Sequence, residues 1–341
     1  MELNERKLKI LQAVVDDYIA SGMPIGSRTI SRMWDGKLSA ATIRNEMSDL
    51  EEMGFLEQPH TSAGRIPSDR AYRLYVDQFL RVPQLSEAET ARIRQYFHHR
   101  MRAVDDVIGI TARALSEMTD YVSMVMTPQI SRVTFQSIRL IPVTRGRALA
   151  VFVTSEGIVR NVMVDVPEEM DERHLDLISN ALTEHMRGRS MDQLPRVVHM
   201  LQSEMHDHEA VFSSLLQSLA QSQRSNMARS IVFDGTQNLF KHSEYANIER
   251  AQAVLAAMDT RELFYNMLNR AQDMEVTISI GKENEYEPLQ DASIVTATYT
   301  IGGKSVGSFG VIGPTRMNYA RVLAIVETIS RAVGDILSEQ E

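Results

Sequence analysis

The chain contains no cysteine. That excludes disulfides, thiolate metal sites and thiol catalysis, and suits a reducing cytoplasm. No apolar run approaches the roughly 20 residues of a membrane span. The opening MELNERKLK lacks the apolar core of a signal peptide. A cytoplasmic protein without a membrane partner is therefore expected. An excess of basic charge is missing too: the net charge is −9 over 341 residues. Any nucleic-acid footprint must then be narrow. No nucleophile–base set stands out, so no enzyme activity, cofactor or bound metal is expected.

Several stretches imitate chemistry. Gly303-Lys304-Ser305 ends like a P-loop, but GxxxxGK[ST] needs glycine at Thr298, so a hairpin turn is the better reading. Gly307, Gly310 and Gly313 have the spacing GxxGxxG, which is not the dinucleotide fingerprint. His206 and His208 beside Glu209 stand at i, i+2, which on a helix points the rings apart. Glu168, Glu169, Asp171 and Glu172 read as a solvated helix start. The twenty methionines suggest adaptable cores and interfaces.

What the chain does carry is concentrated between Ser39 and Pro67. Ser39 is a good N-cap, and Ile43, Met47, Leu50 and Gly54 then fall on one side of a helix. The opposite side offers Ala41, Arg44, Asn45 and Ser48, small or hydrogen-bonding. Phe55 to Gln58 reads as a short strand, Pro59 to Gly64 as a turn, and Arg65-Ile66-Pro67 as a returning strand. Asp49, Glu51 and Glu52 occupy the second half of the helix, the unfavourable end for acids. This leaves the start of the helix for DNA phosphates and base edges. A helix with a polar outer face followed by a small hairpin is the winged helix-turn-helix arrangement. Residues 1–80 hold ten Lys/Arg against twelve Asp/Glu, yet Arg28, Arg32, Lys37 and Arg44 cluster between Ser27 and Ser48 against only Asp35 and Glu46. The candidate DNA contacts are Arg28, Lys37, Ser39, Ala41, Thr42, Arg44, Asn45 and Ser48, with His60, Thr61, Ser62 and Arg65 on the hairpin around a small Gly64.

Along the chain, Asn4 caps a first helix with Leu8, Leu11, Val14, Val15, Tyr18 and Ile19 on one face. Ser27 starts a second, Ser68 a fourth, and Val82-Pro83-Gln84 reads as a linker. One long helix is expected from Ser86 to about Val122. Strands follow at 133–141, 149–153 and 158–164, then a helix marked by Leu175, Ile178, Leu182 and Met186. Helices dominate from Val197 to about Ala271, strands resume at 276–280, 294–299 and 306–312, and a helix from Asn318 to Leu337 closes the chain. Strands, helices and strands again suggest an α+β domain split by an insertion. The helices of 195–271 carry Val211, Phe212, Leu215, Leu216, Phe264 and Leu268 with few strands to cover them. Such apolar surface is expected to seek a partner chain.

The run SAATIRNEMSDLEEMGFLEQPHTSAGRIPSDRAYRLYVD resembles the N-terminal domain of the HrcA family of bacterial heat-inducible transcription repressors. GPTRMNYARVLAIVETIS (Gly313 to Ser330) and GTQNLF (Gly235 to Phe240) resemble later signatures of that family. The resemblance implies an α+β, multidomain chain: a winged helix-turn-helix over 1–82, a GAF-like domain over 86–194 and 272–341, and an inserted dimerising domain, placed here at 195–271. It also implies a homodimer that binds double-stranded inverted-repeat operator DNA upstream of chaperone and chaperonin operons, its activity maintained by the GroE chaperonin. The alternative is a small-molecule-responsive transcription regulator with its effector in the GAF-like domain.

Overall fold

The computed structural model describes residues 3–60, 63–97, 104–128, 134–155, 159–227, 231–271, 274–301 and 304–338. The chain opens with α1 (Glu5–Ser21), α2 (Ser27–Met33) and α3 (Ala40–Glu52). A minimal hairpin of β1 (Leu56–Glu57) and β2 (Ile66–Pro67) leads into α4 (Asp69–Gln78). Asn4 caps α1, Ser39 caps α3 and Ser68 caps α4, each accepting from a first-turn amide. Ile10, Leu11, Val14 and Val15 of α1 meet Ile30, Ile43, Met47 and Leu50 in one core. These elements form a head on the rest of the chain, the body.

The body begins with α5 (Glu87–Tyr96), α6 (Val104–Thr119) and β3 (Val122–Met126). The single helix expected from Ser86 to Val122 is thus two helices and a strand. Asp120, at φ 60°, turns the chain out of α6. All five residues of β3 are buried. Val125 enters one core, while Val122, Met124 and Met126 enter another on the opposite face. A strand buried on both faces shows no polar alternation and cannot be told from the tail of a buried helix by period.

Next come β4 (Phe135–Thr144), β5 (Arg147–Thr154), β6 (Val159–Asp165), α7 (Glu172–Met186), α8 (Leu194–Glu204) and α9 (Glu209–Met227). The strands form an antiparallel sheet in the order β4-β5-β6. Its inner face and the three helices share a core of their own, including Phe135, Phe152, Leu182, Leu201 and Phe212. His206 and His208 lie in a 3₁₀ turn between α8 and α9, so the helical geometry assumed for them does not apply.

The chain then returns as β7 (Ile231–Asp234), α10 (Ile248–Asp259), α11 (Arg261–Ala271), β8 (Val276–Ile280), β9 (Ala292–Ile301), β10 (Lys304–Pro314) and α12 (Tyr319–Ser338). A five-stranded antiparallel sheet runs β7-β3-β10-β9-β8. Helices α6 and α12 cover one face and α10 and α11 the other. Lys304 pairs with Ile301, so the GKS stretch falls at a hairpin whose tip, 302–303, lies outside the described residues. The glutamate and glycine of the expected 155–157 turn lie outside them too.

The fold is a mixed helix-and-sheet, multidomain one, and the helices within 195–271 fall to two different cores. Residues 135–219 supply the core of the three-stranded unit. The helices α10 and α11 pack on the five-stranded sheet instead. Val211, Phe212, Leu215, Phe264 and Leu268 are fully buried within the chain itself. Their apolar stripes do not await a partner; the sequence could not say which sheet would cover them.

One buried polar residue ties the sheet together. Asn238 lies in the 3₁₀ helix Thr236–Lys241, and its amide donates to the carbonyls of Ser116 (3.1 Å) and Tyr121 (3.2 Å). It thus fixes the segment after β7 to the α6–β3 turn. Replacing it leaves two buried carbonyls without this donor, so Asn238→Ala is expected to lower unfolding stability by about 2 kcal/mol in a urea titration.

Candidate nucleic-acid interface

The head orients α3 by burying one side of it. Ile43, Met47 and Leu50 face the core, leaving Ala41, Arg44 and Asn45 exposed and Ser48 half-buried. The turn before it is set by Asp35 and Gly36, both at positive φ, and by Gly36 N donating to Ser31 O at 2.9 Å. Ser31 Oγ donates to Leu38 O at 2.8 Å. Ser39 Oγ accepts from Thr42 N at 3.0 Å and lies 2.9 Å from Thr42 Oγ1. The two hydroxyls therefore stand together at the start of α3, with exposed Lys37 just ahead of them.

Three acids of α3 (Glu46, Asp49 and Glu51) are held by the head's own cations. Lys7 Nζ, from α1, lies 2.8 Å from Glu46 and 2.9 Å from Asp49. Arg6 adds a contact of 3.2 Å to Glu46. Arg65, just ahead of β2, reaches back to Glu51 at 2.8 Å. Sequence reasoning missed Lys7, although a signal was available. Lys7 stands i−3 and i−4 from Ile10 and Leu11, so it falls on the buried stripe of α1, where a cation needs an anionic partner.

The cations of α2 and of the start of α3 are disposed otherwise. Arg28, Arg32, Lys37 and Arg44 are exposed, and among the described residues no ion pair involves them. The head's charge is thereby sorted. One set neutralises acids of α3, and Arg28, Arg32, Lys37 and Arg44 are left exposed on α2 and around the start of α3.

The hairpin differs from the sequence expectation. Ile25 and Arg65 exchange both backbone hydrogen bonds, at 3.0 and 2.8 Å, so the α1–α2 connection adds a third partner to the two strands. Gly64 is pressed on the backbone of Ile25, where a Cβ would overlap the carbonyl. Its small size is required by that packing. Arg65 is turned inward on Glu51 and is half-buried. His60 is exposed; Thr61 and Ser62 lie outside the described residues. Of the candidate residues, the structure thus gathers Lys37, Ser39, Ala41, Thr42, Arg44, Asn45 and Ser48 along α3 and its entry. Arg28 is on α2, and Arg65 is paired with Glu51. Among the described residues no cluster of three or more His, Asp or Glu is placed to hold a metal, and no helix is long and apolar enough to cross a membrane.

The architecture is that of a small helical head with an exposed polar helix, carried on a larger α+β body. A model of the HrcA protein C-terminal domain matches residues 105–323. A protein of Desulforamulus reducens named heat-inducible transcription repressor HrcA is 38% identical over 339 residues, covering 99% of this chain and 98% of that one. One of the same name from Halalkalibacterium halodurans is 38% identical over 341 residues, covering 99% and 98%. A crystal structure titled only as that of a hypothetical protein superposes over 100% of both chains with a TM-score of 0.61 at 22% identity, a likeness of fold. The chain belongs to the HrcA family.

The internal ion pairs make a direct prediction. Lys7 is buried against Glu46, whose side chain is only 12% exposed. Lys7→Ala leaves that carboxylate without its main partner, and is expected to cost about 2–3 kcal/mol in thermal or denaturant unfolding. A loss under 0.5 kcal/mol would mean that the acids of α3 are satisfied by water alone.

Proposed function

We propose that this chain represses transcription of heat-shock chaperone and chaperonin operons. In this reading it binds an inverted-repeat operator as a homodimer, through a winged helix-turn-helix formed by α1–α3 and the β1–β2 hairpin. The observation that carries the reading is the sorting of charge in the head. An acidic protein gains nothing in stability from leaving four like charges exposed on α2 and the start of α3, but a polyanion would neutralise them. The relatives' shared name, heat-inducible transcription repressor, supports the same reading.

Within it, Arg44 and Asn45 read base edges, since Arg suits guanine and Asn suits adenine, at roughly 1–3 kcal/mol per bidentate pair. Ser39, Thr42, Lys37 and Arg28 contact phosphates and fix register. Ala41 and Ser48 let the helix sit close to the duplex. His60 and, by their place in the sequence, Thr61 and Ser62 are further candidate contacts, while Arg65 holds the hairpin on α3. The five-stranded sheet with its helices is the GAF-like host, and 134–227 is the inserted unit. Maintenance of the active form by the GroE chaperonin belongs to the same reading. DNase footprinting on the organism's chaperone promoters at two temperatures, with and without chaperonin and ATP, tests it as a whole.

Arg44→Ala is expected to leave stability within about 0.5 kcal/mol, because the side chain is exposed. It should relax base preference at particular operator positions when binding is measured over a substituted operator series. Uniform weakening at every position would make Arg44 a phosphate contact only.

For the dimer, the outer face of the three-stranded sheet offers a surface. Ile141, Leu149 and Met163 form one cross-strand row, with Val153 and Val159 paired further along. Ile141 and Val159 are 48% and 58% exposed. A row of this kind supports pairing of two copies about a two-fold axis. The double variant Ile141→Asp, Met163→Asp is expected to run as a folded monomer in light scattering; a stable dimer would move the interface elsewhere.

A further inference from the structure

The head meets the body along a seam centred on Tyr72, which is buried against Tyr319 with ring centroids 6.2 Å apart. Apolar contact of that sort is non-directional. Direction comes from polar fixings on either side of it.

At the first, Asp69 and Arg73 stand one turn apart on α4 and grip the turn after β8. The Asp69 carboxylate accepts from the Lys282 amide at 3.0 Å. Arg73 Nε donates to Glu283 Oε1 at 2.7 Å, and Nη2 donates to the other carboxylate oxygen. Nη2 also donates to the Ile278 carbonyl at 2.6 Å. A forked guanidinium–carboxylate pair fixes an angle as well as a distance.

The turn is braced from the body side to receive α4. Glu283 also accepts from the Ile280 amide at 2.9 Å. Asn284, only 4% exposed, donates to the carbonyls of Gly281, Leu289 and Ala292. Gly281 sits at φ 55°, and a Cβ there would overlap the Asp69 carboxylate. Glycine is therefore required twice, once by the backbone and once by the approach of α4.

The second fixing comes from the body. Arg316, between β10 and α12, pairs with Glu244 and points Nη1 at the Ile19 carbonyl of α1, 3.5 Å away. Tyr75 donates to Asp16 at 2.7 Å, tying α4 to α1, so both fixings hold the same head. Beside the second fixing lies a cavity of about 290 Å³ lined by Asp16, Tyr75, Tyr121, His242, Arg316 and Asn318, among others. Close packing does not set the angle there.

We propose that Arg73 and Glu283 are positioning residues for DNA recognition. They fix the angle at which α3 is presented to the duplex and hence, in a two-fold dimer, the separation of the two α3 helices. This rests on the DNA-binding reading above, and the test separates the two.

The absence of cysteine allows Glu57→Cys and Glu262→Cys, both exposed positions, to carry spin labels in the full chain diluted with unlabelled protein. One narrow head-to-body distance distribution is expected. It should broaden in Arg73→Glu and in the milder Arg73→Gln, and narrow again in Arg73→Glu, Glu283→Arg. The second arm uses an inverted-repeat duplex selected by the wild-type chain from a random pool, with its half-sites moved apart one base pair at a time. A preference of roughly tenfold for one spacing should flatten in the single variants while affinity for an isolated half-site is kept, and return with the charge swap. Weakened folding alone would lower affinity at every spacing equally and would not be rescued by the swap; that result, or unchanged distances in the Arg73 variants, overturns the proposal. A wild-type chain that selects no duplex while the distances behave as expected overturns the DNA-binding reading, and the role in recognition with it.

Discussion

The organising constraint of this chain is a five-stranded sheet buried on both faces. Its central strands come from distant parts of the sequence, with Val125 of β3 opposite Phe309 of β10. Such a sheet closes only if everything between β3 and β7 is put aside, so that intervening stretch must bury its own apolar surface. It does so as a second sheet under α7, α8 and α9, with Phe152, Leu182 and Phe212 in a separate core. The head follows from the same constraint: its core runs on into the face covered by α6 and α12, with Tyr72 and Tyr319 in one cluster.

What the sequence reveals follows from how many faces an element buries. Strands β4, β5 and β6 are buried on one face and alternate, so their positions are legible. Helices announced by Asn4, Ser39, Ser68 and Ser86 begin where a capping side chain accepts from the first turn. The strands β3 and β7 have no such mark. Both join the doubly covered sheet, one as a buried run whose single polar residue is Ser123 and the other as four residues before Gly235. The division of the body was illegible for a related reason. A stripe such as Val211, Phe212 and Leu215 states that a helix is covered and is silent about what covers it.

The same limit applies to the candidate interface. The outward face of α3 could be read from spacing alone, because burial of Ile43, Met47 and Leu50 leaves no other side for Arg44 and Asn45. The fate of the remaining charges could not, since it depends on pairs made between elements. Arg65 looks as available as Lys37 in the sequence, and the stripe that buries Lys7 does not name its partner, yet the two are committed to Glu46, Asp49 and Glu51. A net charge of −9 is therefore a poor guide to local potential. Across roughly 10 Å of screening at ordinary salt, a phosphate near α3 experiences its neighbours rather than the total.

In the seam between head and body, strength and direction are supplied by different chemistry. Burial of Tyr72 and its neighbours provides most of the attraction, which is indifferent to small rotations. Arg73 and Glu283 keep side chains about one-third exposed, where an ion pair adds little to stability but still selects one geometry. The Tyr72 hydroxyl is buried with no hydrogen-bond partner among the described residues. Burying it so costs on the order of 1–3 kcal/mol, which brings the docked head closer in free energy to an undocked one. The head is thus held by apolar burial, against the cost of one unmet hydroxyl, and turned to one angle by an ion pair of small energetic weight. Loss of that pair would free the angle while the apolar seam keeps the head docked.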